Sequence, residues 1–181
     1  YHCFGCGVGG DVFKFVQEKE GLDFAGSIEY LADQFNVEIE YEELGRAVGE
    51  YRDSLTSTYW FRDPLYLSGG GPAAERVTSE IASLTAGQRY MGHQLVGTEF
   101  RSFDLQSPTL AVVTARETWQ EALYALSQYS PEFDDAVLTQ RGPYSLDATY
   151  TLELIDRGQE LPPAWQVTNV VYAAEPPAFE G

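Results

Sequence analysis

Between Tyr144 and Ile155 the side chains alternate without a slip. Tyr144, Leu146, Ala148, Tyr150, Leu152 and Leu154 fall on one side, and Ser145, Asp147, Thr149, Thr151 and Glu153 on the other. Successive side chains of an extended chain point to opposite faces, so the stretch predicts a long strand with one buried and one solvated face. A sheet built from such strands is antiparallel and covered on one side only. Three more segments, Leu95–Leu105, Leu110–Leu123 and Trp165–Tyr172, are rich in β-branched and aromatic residues. The predicted breaks between strands are Ser107-Pro108, Gly142-Pro143 and Gly158 with Pro162-Pro163.

The chain ahead of these strands has helical periodicity. Asp11 can cap a short helix with Val12, Phe13 and Val16 on one face and Gly21 at its C-terminal end. Asp23 can cap a second, with Phe24, Ile28, Leu31 and Phe35 on its apolar face, ending at Asn36. Val37, Ile39 and Tyr41 alternate with Glu38, Glu40 and Glu42, which predicts a half-buried strand with an acidic outer face. Leu44, Val48, Tyr51, Leu55 and Tyr59 then predict a third helix to about Trp60, and Val77, Ile81 and Leu84 a fourth from Ala73. The triple glycine Gly69–Gly71 lacks the Lys-Ser/Thr of a phosphate loop, and Pro72 reads as the opening of the fourth helix. Helices followed by four long strands define an α+β chain in which a curved sheet wraps helices. The change of character around Glu43–Gly49 divides it into residues 1–45 and 46–181.

With 44% hydrophobic residues the chain can bury a core, and with no long apolar run a membrane partner is not expected. A net charge of −17, from 28 acids against 11 bases, opposes general attraction to a phosphate backbone. The nine arginines are scattered, so Trp60, Trp119, Trp165 and the tyrosines are expected to line core and pocket rather than to stack bases.

The only two cysteines, Cys3 and Cys6, sit three apart in Tyr1-His2-Cys3-Phe4-Gly5-Cys6-Gly7. Two thiolates at this spacing, with glycines to take the tight turn, form half of a tetrahedral zinc site. A free or redox-active pair is the other reading. A disulfide framework is implausible, and a reducing, cytoplasmic setting is expected. Tyr1–Gly7, Gly10–Val16 and Glu20–Leu22 with Phe24 together resemble the second half of the CHC-type zinc ribbon of bacterial DnaG-type primases. That resemblance implies zinc as the metal, Cys3 and Cys6 as the last two of four ligands, an upstream Cys and His as the first two, and His2 as a non-ligand. It also implies a replication-linked role, with contact to single-stranded DNA or to replication proteins. Tyr1, Phe4, Lys14 and Lys19 are the nucleic-acid-binding candidates near the motif, with Glu18 and Glu20 diluting their positive field. No carboxylate cluster of a polymerising core follows Asn36, so the segment is not a primase by itself.

Thr114–Trp119, Gly142–Tyr144, Tyr150–Glu153 and Trp165–Val167 resemble, over Ala47–Ala173, the IMS-type domain of cyanobacterial and plastid-division proteins, within the cone-shaped nuclear transport factor two-like superfamily. This resemblance implies a pocket and a protein-interaction scaffold. Some cones of that superfamily are isomerases or hydrolases, and His93, Glu99, Glu117 and Asp147 are the residues that such chemistry would draw on here. No spacing fixes a second partner for any of them, Asp147 falls on the polar strand face, and His93 is expected at the surface or hydrogen-bonded. The cone therefore reads as non-catalytic, binding a partner segment or a small apolar ligand.

Overall fold

The computed structural model describes residues 1–2, 5, 9–35, 41–126, 137–158 and 161–179, with backbone alone at 25, 29, 32, 33 and 35. Helices α1 (Val12–Glu20) and α2 (Phe24–Phe35) pack on each other at the start of the chain. Asp11 caps α1 by accepting from the Lys14 amide at 2.9 Å, and Gly21 closes it in the left-handed region at φ 70°. Asp23 does the same for α2, accepting from the Gly26 amide at 2.8 Å. Val16 and Ile28 are buried, and Phe13 meets Phe24 with ring centroids 5.8 Å apart. Val12, which helical spacing places with Phe13 and Val16, is instead 51% exposed at the first turn.

Helix α3 (Tyr41–Phe61) is longer than its apolar pattern predicts. Tyr41 and Glu42 belong to its first turn, not to an acidic strand, and Val37–Glu40 lie outside the described residues. The alternation that suggested a strand ends at Glu42, and Glu42 and Glu43 are two acids that favour a helix N-terminus through its dipole. Leu44, Val48, Tyr51, Leu55 and Tyr59 are buried at three- and four-residue steps, so α3 runs through positions 45 and 46 without a break. Gly49 sits inside this helix with open space where a Cβ would be. Gly49→Ala is therefore expected to raise stability by about 1 kcal/mol, read as a higher urea midpoint with unchanged slope.

After a 3-10 turn at Pro64–Tyr66, α4 (Gly71–Ala86) buries Ala73, Val77 and Ile81. Gly69 and Gly70 are not a phosphate cradle: Gly69 bridges Val167 in parallel, and the Gly70 amide donates to the Val167 carbonyl at 2.9 Å. Four strands follow: β1 (Arg89–Ser107), β2 (Leu110–Ala125), β3 (Val137–Ile155) and β4 (Ala164–Tyr172). They form one antiparallel sheet in the order β1-β2-β3-β4, with α3 and α4 packed against it. Leu146, Ala148, Tyr150 and Leu152 face the core, in the phase that their alternation predicts. Trp119, Tyr51 and Tyr150 are the largest fully buried side chains. Outermost strand β1 carries register shifts at Leu95/Gly97, Phe100/Ser102 and Leu105/Ser107.

The predicted break at Gly142-Pro143 is absorbed inside β3. Trp119 pairs with Tyr144 and Glu121 with Arg141, so Gly142 and Pro143 together oppose the single residue Gln120. Gly142 has φ 102°, and a Cβ there would lie 2.6 Å from the Trp119 carbonyl oxygen, so only glycine fits this bulge. The bulge carries the strand on to Arg141, which the sequence pattern left outside.

Candidate functional site

Two buried acids on β2 organise the space between the sheet and its helices. Glu117, fully buried, accepts from Arg52 Nη1 at 3.0 Å, from Trp119 Nε1 at 3.0 Å and from the Tyr150 hydroxyl. Arg52 in turn donates from Nη1 to Thr98 Oγ1 at 2.8 Å and from Nε to the Val48 carbonyl at 3.3 Å. Every group in this cluster has a partner, as buried polar groups require. With its carboxylate fully engaged, Glu117 serves as a strut rather than as a base.

Four residues further along β2, Glu121 borders a cavity of about 90 Å³. Arg141 Nε and the Tyr144 hydroxyl (2.8 Å) donate to its Oε2, and His93 Nδ1 lies 2.6 Å from Oε1. The His93 contact is close but not aligned as a hydrogen bond. Burial alone would raise the Glu121 carboxyl, but His93, Arg141 and Tyr144 together outweigh it and hold it down at about 2. The His93 ring is sandwiched between Trp119 and Tyr59, with centroids at 4.2 and 5.2 Å. Tyr59 donates to Glu80 Oε2 at 2.6 Å. Burial raises the phenols of Tyr59, Tyr144 and Tyr172, and the neighbouring acids Glu80, Glu121 and Glu117 add to it, so these three remain hydrogen-bond donors at ordinary pH. The wall is aromatic, with its charges already matched.

The structure separates the four acid–base candidates. Glu99 and Asp147 lie on the outer face, paired with Arg101 and Arg116 respectively. Glu117 points inward to Arg52, and only His93 reaches the cavity. Glu121 and Arg141, the centre of the site, escaped sequence reasoning. Glu121 lies in the same period-2 phase as Glu117 and Trp119, a signal that marks all three as inward. Of the scattered arginines, Arg52 is buried, and Arg76 and Arg141 line the cavity.

At the other end of the chain, the described residues on either side of Cys3 and Cys6 pair with one another. The Gly10 amide donates to the Tyr1 carbonyl at 3.1 Å, and His2 bridges Gly9. Cys3, Phe4 and Cys6 themselves lie outside the described residues. A hairpin base of this kind, around two thiols three apart, suits two ligands of a tetrahedral zinc site. Among the described residues no further cluster of ligating side chains supplies the other two. Tyr1 and Lys19 gather around Phe15. Tyr1 meets its ring edge-on at 5.0 Å, and Lys19 Nζ lies 6.0 Å above it. Both lysines are engaged, Lys14 with Glu18 at 3.4 Å and Lys19 with Glu20 at 3.2 Å. Tyr1 donates to Glu18 at 2.5 Å, a bond that lowers the Glu18 carboxyl.

Residues 1–47 match the family model of the CHC2 zinc finger, the zinc ribbon of DnaG. DNA primase of Helicobacter pylori is 51% identical over 43 residues, which cover 24% of this chain and 8% of that primase. DNA primase of Thermotoga maritima is 42% identical over 59 residues, 33% of this chain and 9% of the relative. That of Deinococcus radiodurans is 36% identical over 87 residues, 44% of this chain and 15% of the relative. The chain thus spans a small part of the curated primases it matches. Among solved structures, the intermembrane space region of chloroplast protein ARC6 superimposes with a TM-score of 0.56 at 15% identity, covering 77% of this chain and all of that one. The N-terminal segment, residues 1–47, thus matches the primase-type CHC2 zinc ribbon, and the residues that follow share the fold of the ARC6 intermembrane space region.

Proposed function

We propose that this chain is a replication-associated zinc module, its ribbon contacting single-stranded template, joined to a cone that recognises a segment of a partner protein. The observation that carries the first half is the match of residues 1–47 to the CHC2 ribbon, with half of the aligned residues identical to a primase. Zinc would be held by Cys3 and Cys6 with two further ligands that the described residues do not supply, and would there supply structure rather than catalysis. Tyr1 and Phe15 offer stacking surfaces, with Lys14 and Lys19 beside them for phosphate, and Phe4 is the further stacking candidate that the sequence adds. Glu18 and Glu20 limit that contact to a short stretch of strand.

The test is a single-strand DNA titration of the zinc-loaded protein at 50 and 200 mM salt. Two phosphate contacts give a log–log salt slope near −1.4, from about 0.7 for each single-strand phosphate. Lys14→Ala should flatten the slope by about 0.7. Absence of binding at low salt would leave the ribbon as a folding staple and the chain as a protein-interaction scaffold.

The second half rests on the cavity. About 90 Å³ holds a few water-sized molecules, well below the several hundred Å³ of a small-molecule enzyme site. The His93–Glu121 pair is spent on its own neighbours. Aromatic walls with charge-matched polar groups favour recognition over turnover.

A further inference from the structure

The chain beyond β4 turns back across the mouth of this cavity. The Ala173 amide still donates to the Asp147 carbonyl at 2.9 Å, in continuation of the sheet. Pro176 then lines the cavity, and the Pro177 carbonyl accepts from Arg141 Nη1 at 2.9 Å. The Arg141 guanidinium lies 4.2 Å from the centroid of the Phe179 ring, which packs against the border of the core. Pro176 and Phe179 are half-buried, while Pro177 and Ala178 between them are exposed. A burial period of three is that of a polyproline II turn, which two consecutive prolines favour and which peptide grooves recognise at low entropic cost.

Arg141 is prepared as a receptor for this segment. Glu121 holds its Nε edge and Tyr144 lies 5.6 Å beneath the guanidinium, which leaves Nη1 and one flat face for the incoming carbonyl and ring. We propose that Pro176–Phe179 is an internal ligand that plugs the recognition site, and that a partner segment of the same chemistry, two prolines, a spacer and an aromatic residue, enters by displacing it. The inference rests on the recognition reading above and adds its regulation. A tethered ligand on a short connection acts at an effective concentration on the order of millimolar, so an external segment that makes the same contacts binds at least about tenfold more weakly while the plug is seated.

The experiment is a fluorescence-anisotropy titration of a labelled peptide with the sequence of residues 174–179 (Ala-Glu-Pro-Pro-Ala-Phe). It is run against the full chain, the chain ended at Glu175, and the full chain with Phe179→Ala. The expected result is binding about tenfold tighter to the shortened chain than to the full one, with Phe179→Ala in between. Arg141→Lys in the shortened chain keeps a charge beside Glu121 but lacks the planar fork, and should weaken the peptide several-fold. Equal affinity for full and shortened chains overturns the plug while peptide recognition stands. No binding to a shortened chain that still melts cooperatively overturns both. If the shortened chain does not fold, the same comparison is decided on Phe179→Ala.

Discussion

Replacing Arg52 by methionine is expected to destabilise the cone by about 3–5 kcal/mol, a large share of the ~5–15 kcal/mol that holds a typical domain together. Arg52 is 4% exposed and Glu117 is fully buried, so the substitution strands a carboxylate where water cannot solvate it. It also removes the donor to Thr98 and the guanidinium that lies 5.0 Å from the Phe100 ring centroid. Pairing Arg52→Met with Glu117→Gln should recover more than half of the loss. With its amide oxygen in the Oε2 position glutamine can still accept from Trp119 Nε1, its NH2 group can donate to the Tyr150 hydroxyl oxygen, and no charge is left behind. Urea unfolding of the wild type, both single variants and the double variant closes the cycle. Additive losses would show that the two groups do not depend on each other.

Acid should strip a second contribution from the same sheet. The Glu121 carboxyl lies at about 2 in the folded chain against an ordinary value of 4.5, held there against the opposing effect of burial by His93, Arg141 and Tyr144. A depressed carboxyl stabilises the fold above its unfolded value, and the benefit is lost as pH falls through the folded one. Here that window runs from about 4.5 down to about 2, and the amount lost is on the order of 3 kcal/mol. Many other carboxylates titrate over the same range, so the informative quantity is the difference between the wild type and Glu121→Gln. Unfolding free energies measured at half-unit steps should show a gap that is constant from pH 7 to 5 and closes towards pH 2. A gap unchanged at pH 2 would mean that the Glu121 contacts do not discriminate between its protonation states.

The fold was largely legible because its strands are long and one-sided. The run from Tyr144 to Leu154 sets register and facing by its period, and the caps Asp11, Gly21 and Asp23 announce the first two helices through local chemistry. The acidic alternation misled at Tyr41 and Glu42, which open α3, while Val37–Glu40 lie outside the described residues. The site was less legible. Gly142-Pro143 looks like an end in one dimension, whereas in the sheet it is a bulge that delivers Arg141 to Glu121 across two strands. Pairings of that kind join residues 20 positions apart, and local spacing carries no trace of them. The candidate zinc pair is local by contrast, since Cys3 and Cys6 lie within four residues of the chain.

The register shifts along β1 bear on how this protein behaves when crowded. A lateral strand 19 residues long would otherwise offer a ruler of unpaired amides and carbonyls on which another molecule's strand could grow. Each shift rotates the following residues out of the line, so the longest regular stretch is Arg89–Leu95, with shorter ones beyond it. On the opposite side, Gly69 and Gly70 already occupy part of the β4 rim. Both borders of the sheet are thus interrupted as templates for fibrous growth.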